Sequence, residues 1–192
     1  MKKVGVIVAA LLCVALICVG FFFVKRNSDS SQNHDGELTE VQKIITKDLT
    51  SNYPATPREV VKLYNRIITC YYKQVYTDDE LSALADQALC LFDEELLAIN
   101  PKEQYLMALK MDIANYAERE RFIAQSDVCD SRDVIYKTID GDEIAYVIAS
   151  YFVREGTSYD KTYQQYVLRK DAEDRWKILV FYQIEDPSEE ED

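Results

Sequence analysis

The chain has 192 residues, with 34 acidic against 22 basic side chains and a net charge of −12. Residues 1–26 hold four of the basic residues and none of the acidic ones, so the remainder carries a net charge of −16. Such a field repels nucleic acid, which argues against a nucleic-acid-binding role, and it keeps a domain solvated and tolerant of cationic partners.

From Val4 to Val24 the chain runs 21 residues without a charged side chain. A helix needs roughly 20 residues to cross a hydrocarbon core about 30 Å thick, so the run predicts a transmembrane signal anchor over residues 1–26 and a lipid bilayer as partner. Gly20 is followed by Phe21, Phe22, Phe23 and Val24, which offers no small-residue cleavage site. Leu12 precedes Cys13 and Ile17 precedes Cys18, so neither cysteine has the small neighbour that acylation requires. Lys2 and Lys3 precede the run, and Lys25 and Arg26 follow it. The export-like start and the acidic remainder place the C-terminal domain outside the cytoplasm in a single-pass arrangement at the cell membrane.

Asn27 to Gly36 is small and polar and reads as a flexible linker. Residues 37–186 then form one domain, and 187–192 an acidic, solvated tail. Val41, Ile44, Ile45 and Leu49 have a short helical spacing. Three main helices follow. Thr56, Pro57 and Glu59 open the first, whose stripe runs from Val60 through Tyr76. Thr77 with Glu80 opens the second, with Leu81, Leu84, Ala88, Phe92 and Leu96 on one face. Asn100 and Pro101 start the third, which runs to about Gln125. After Ser126 the period becomes two, and Asp140-Gly141 is a hairpin signal between Val134–Ile139 and Ile144–Arg154. With Thr162–Arg169 and Trp176–Ile184 these strands make a four-stranded antiparallel meander. The expected fold is α+β: a transmembrane helix, then three main helices on a cone-like meander.

The block Asn52-Tyr53-Pro54-Ala55-Thr56-Pro57-Arg58-Glu59-Val60-Val61-Lys62-Leu63-Tyr64-Asn65 continues through Leu91-Phe92-Asp93 and Asn100-Pro101. In these motifs the chain resembles an uncharacterised family of small, single-pass, membrane-anchored proteins from clostridial Gram-positive bacteria, over most of residues 38–185. The element order is similar to cystatin-like and nuclear-transport-factor-two-like cone folds. The resemblance implies localisation and fold, and no chemistry.

Candidate chemistry is sparse. Cys70, Cys90 and Cys129 are widely spaced, the only histidine is His34 in the linker, and no glycine-rich phosphate loop is present. No cofactor or metal is expected, nor a cysteine or serine nucleophile activated by histidine. On one continuous second helix Glu95 falls inside the apolar arc, and Asp112 lies beside the stripe carrying Tyr105 and Tyr116. These four form a speculative pocket, as an acid with tyrosines would in an isomerase-like cone-fold enzyme. The competing reading of each carboxylate is an ion pair or a helix rim. Strand residues Tyr146, Ile148 and Phe152, with Leu179 and Phe181, give the sheet a second apolar face. Three covers fit it: the Leu38–Leu49 segment, a second copy, or a partner protein at the cell envelope. The expected function is therefore non-catalytic partner or ligand binding, with the pocket enzyme as the alternative.

Overall fold

The computed structural model describes residues 38–73 and 75–188. The predicted anchor Val4–Val24, the linker 27–36 and tail residues 189–192 lie outside them.

Helix α1 (Glu40–Ile45) starts at Thr39, whose hydroxyl accepts from the Gln42 amide at 3.1 Å while the Gln42 side chain accepts from the Thr39 amide at 3.0 Å. This reciprocal pair satisfies two donors that a helix start leaves open. At the start of helix α2 (Pro57–Lys73) the Thr56 hydroxyl accepts from the Glu59 amide at 3.2 Å and the Glu59 carboxylate accepts from the Ala55 amide at 3.0 Å, and the helix buries Val60, Val61, Leu63, Tyr64 and Ile67. Helix α3 (Asp78–Leu89) starts on the Thr77–Glu80 box and buries Leu81, Leu84 and Ala88. Two more follow, α4 (Glu94–Ile99) and α5 (Lys102–Glu118). Helix α5 fully buries Leu109 alone, with Tyr105, Leu106, Ile113 and Tyr116 half-buried.

The sheet holds β1 (Arg121–Val128), β2 (Ile135–Ile139), β3 (Asp142–Glu155), β4 (Ser158–Lys170) and β5 (Trp176–Ile184), all pairings antiparallel. β1 and β2 share one edge of β3, and β4 and β5 extend the other side. A short 3-10 turn, Ser131–Asp133, separates β1 from β2. In the β2–β3 hairpin Asp140 and Gly141 both take left-handed φ values, 53° and 99°, as a two-residue turn matched to strand twist requires.

Alternation divides the sheet. Ala145, Val147, Ala149, Tyr151 and Val153 of β3, with Tyr166 and Leu168 of β4 and Ile178 of β5, are buried against the helices. Each large aliphatic side chain removed from water contributes about 1.5–3 kcal/mol, so this dry layer dominates stability. Residues Leu91–Asp93 run alongside β5: Ile178 donates its amide to the Leu91 carbonyl at 2.8 Å, and Asp93 donates to the Ile178 carbonyl at 2.9 Å. Arg169 of β4 binds Asp93 through two nitrogens, at 2.6 and 3.0 Å, and Asp93 also caps α4 by accepting from the Glu95 amide at 3.0 Å.

The structure corrects the expected fold. In place of three main helices and a four-stranded cone-like meander, the described residues form five helices and a five-stranded sheet. No helix among the described residues is long and apolar enough to cross a membrane. The expected second helix is two helices, because Leu91–Asp93 leaves the helical path to bond with Ile178. The expected third helix ends at Glu118, and Glu120 takes a left-handed φ of 50° before the chain enters β1. The Leu38–Leu49 segment covers no sheet face: Val41, Ile44 and Leu49 join the core on the helical side.

Two outcomes follow from these contacts. Asp93→Ala removes the cap and the ion pair together and lowers unfolding free energy by about 3 kcal/mol in urea denaturation followed by Trp176 fluorescence. Asp93→Asn keeps a capping oxygen and loses less; equal losses would show that the cap contributes nothing. The second outcome concerns Asp48, whose carboxyl is held down to about 2 by hydrogen bonds from the Thr50 and Ser51 hydroxyls and the Thr50 amide. A depressed folded-state value stabilises above the ordinary carboxylate range and ceases to do so as pH falls toward 2. Thr50→Val therefore shifts the Asp48 carboxyl titration, read by carbon NMR, upward toward the ordinary range.

Candidate interaction surface

The strand registers place a second set of side chains on the face turned away from the helices. Ile135, Tyr146, Val167 and Val180 make one row across β2, β3, β4 and β5, and Ile148, Gln165 and Tyr182 make the next. Ser150 and Tyr163, then Phe152 and Lys161, then Arg154 and Tyr159 continue along the β3–β4 pair. No described helix lies over these rows. Ile144 and Val167 are buried, at 6% and 8% exposed, yet they stand outside the hydrophobic core cluster. Ile135, Val180, Tyr182 and Tyr159 are 55%, 41%, 46% and 64% exposed.

Three cations lie over the aromatic rings of this face. The Lys137 ammonium stands 5.2 Å from the Tyr146 centroid. Lys161 lies 5.4 Å from Phe152 and 4.7 Å from Tyr163. The Arg154 guanidinium lies 5.8 Å from Phe122 and 5.7 Å from Tyr159. A cation over a ring gains roughly 0.5–1 kcal/mol at an exposed site while keeping its charge available to a partner. The neighbouring acids are engaged within the chain. Asp127 accepts from Gln125 at 2.7 Å, Asp142 stands 3.6 Å from Arg169, and Asp186 accepts from the Tyr163 hydroxyl at 2.7 Å. The face is thus aromatic and apolar and carries three cations, with Asp186 and Asp127 close to Lys161, on a domain that is otherwise strongly acidic.

Of the expected interface residues, Tyr146, Ile148 and Phe152 lie on this face. Leu179 is the extra residue of a bulge where Val167 pairs with Val180 and Leu168 with Ile178. Phe181 turns inward and stacks on Tyr166 at 5.4 Å between centroids. Lys137, Arg154, Lys161 and Tyr182 escaped the sequence reading, because only the cross-strand register brings them to one surface.

The speculative pocket residues divide into three environments. Glu95 is exposed and bonds to Arg169 at 2.8 Å. With Asp93, it holds the Arg169 guanidinium still more firmly protonated than an ordinary arginine. Asp112 is exposed on α5 and accepts from the Tyr72 hydroxyl at 2.5 Å, and Tyr72 stacks on Tyr116 at 4.0 Å. Burial first, then the Asp112 carboxylate, raises the Tyr72 phenol. Tyr105 joins the core, its hydroxyl 3.4 Å from that of Tyr71 and its ring edge-on to Phe92. Asp112 and Tyr116 therefore share Tyr72, while Tyr105 and Glu95 stand apart. Among the described residues no group of histidine, cysteine, aspartate and glutamate is arranged to hold a metal ion.

No curated protein matches the chain. Residues 1–181 match the family described as a domain of unknown function, DUF6715, and the chain belongs to that family.

Proposed function

We propose that the chain is a non-catalytic binding module of the cell envelope. The uncharged run Val4–Val24 holds it at the membrane, and its acidic domain lies on the extracytoplasmic side. The open sheet face receives a protein partner that presents apolar side chains flanked by carboxylates. The observation that carries this reading is the uncovered row of Ile135, Tyr146, Ile148, Phe152 and Tyr182 with Lys137, Arg154 and Lys161 lying over its rings. Aromatic residues with a few cations and little other charge are the composition of an interface core. A second copy is disfavoured because two domains of −16 repel at long range, and the partner's carboxylates are local to its contact patch, opposite Lys137, Arg154 and Lys161.

Photo-reactive residues placed at Ile148 and at Tyr182 of the full-length protein test the reading in intact cells. Adducts with a chain of a different mass are expected at both, weakened at least tenfold when Lys137→Glu and Lys161→Glu are combined. An adduct of twice the protein's own mass, an equal yield from a control position at Met111 on α5, or no adduct overturns it.

Orientation has its own test. Cys90 is exposed, whereas Cys70 is buried and Cys129 half-buried. Burial, ahead of the Glu40 charge, raises the Cys70 thiol, and burial also raises that of Cys129. With Cys13 and Cys18 replaced by serine, an impermeant maleimide labels Cys90 in intact cells if the domain is extracytoplasmic. Labelling only after permeabilisation reverses the assignment.

A further inference from the structure

A second site lies between α2 and β1, at the margin of the sheet. Arg58, Lys62 and Arg66 recur at intervals of four on α2, so they form a single stripe, and they line a cleft of about 310 Å³ with Asn65, Ser126 and Asp127. A neighbouring cleft of about 500 Å³ shares Lys62 and Arg66. In a domain with nearly twice as many acids as bases, three cations on one wall are a local reversal of sign.

The floor of the cleft points to what the cations serve. Asn65 is 2% exposed. Its Oδ1 accepts from the Tyr151 hydroxyl at 2.6 Å, and that hydroxyl lies 2.6 Å from the Tyr166 hydroxyl, which donates to Gln164 at 2.9 Å. This thread fixes the carboxamide and leaves the buried Nδ2 without a protein partner. A buried donor left unpaired costs about 1–3 kcal/mol, which an acceptor in the cleft would recover.

The charges around it are unequal in engagement. Arg58 donates Nε to the Cys129 carbonyl at 2.6 Å and a second nitrogen to the Val128 carbonyl at 3.4 Å, partners that orient it without neutralising it. Arg66 is paired with Glu40 at 2.7 Å, both half-exposed. Among the described residues Lys62 enters no ion pair, and it is exposed at the rim of both clefts. Asp127, the one acidic residue bordering the smaller cleft, pairs in register with Ser150 of the sheet face, and its carboxylate accepts from Gln125 there. The Ser126 hydroxyl, with the Asn65 amide just beneath the surface, under a cationic rim fits an oxygen-rich anion.

We propose that the α2–β1 cleft binds a phosphate group, with the Asn65 amide and the Ser126 hydroxyl donating at its floor and Arg58, Lys62 and Arg66 balancing its charge. The same chemistry is met by inorganic phosphate and by a lipid headgroup. Both are titrated against the full-length protein in neutral detergent micelles: inorganic phosphate in one arm, short-chain phosphatidylglycerol in the other. Chloride holds ionic strength constant, and the side-chain amide resonance of Asn65 is followed by nitrogen NMR. Saturable movement of that resonance is expected, with affinity falling about tenfold in Lys62→Glu, whose position is exposed, and again in Asn65→Ala followed through the Ser126 amide. Response to phosphate supports a soluble ligand; response only to the lipid supports a headgroup. No saturable movement in either arm, or an affinity unchanged by Lys62→Glu, overturns the site and leaves the sheet-face reading untouched.

Discussion

The join between Asp93 and Arg169 is the constraint on which the two layers depend. A carboxylate 4% exposed is tolerated only when its lone pairs are filled, and here a forked guanidinium and a backbone amide fill them. The same residue starts α4 and lies beside β5 through its own amide. Helix placement, sheet edge and charge compensation are thus settled by three consecutive residues, Leu91, Phe92 and Asp93. Moving any of them would disturb the cap, the bridge to Ile178 and the edge-on contact of Phe92 with Tyr105 together.

Tyrosine serves two purposes in the fold. On the helical side Tyr71, Tyr151 and Tyr166 are buried, and each hydroxyl finds a carbonyl, an amide oxygen or another hydroxyl. These groups specify how the layers meet as well as filling them. On the open side Tyr146, Tyr159 and Tyr163 lie beneath cations and keep their rings at the surface. Of the 14 tyrosines, those on the sheet divide between one dry face and one aromatic face, and only the first is self-contained.

Much of this was legible in local sequence. Thr56-Pro57 with Glu59, Thr77 with Glu80 and Asp140-Gly141 each act within a few residues, so their geometry follows from the residues themselves. What could not be read depends on distant partners. Leu91 and Phe92 continue a helical apolar spacing, and the break is imposed by Ile178. That break resets the helical phase, which turns Glu95 from an expected buried arc to the surface, beside Arg169. β1 was absorbed into the preceding helix because a bulge between Ile123 and Gln125 interrupts its period-two alternation. The cationic stripe Arg58, Lys62, Arg66 forms no part of the sequence reading, because its meaning depends on Asn65 and β1 beside it.

The two edges of the sheet carry a consequence for how such a domain can associate at high concentration. An unpaired strand edge invites another chain to extend the sheet, which propagates indefinitely. On one side that edge is split into β1 and β2, offset by the turn at Ser131–Asp133, with Arg58 occupying carbonyls at the join. On the other, Leu91–Asp93 takes hydrogen bonds of β5 at Ile178. Both margins are thus interrupted, one by the split between β1 and β2 and the other at Ile178, and the free backbone they keep is divided into short runs. Edge-to-edge pairing of two copies is confined to those runs, which weakens it against association through the faces.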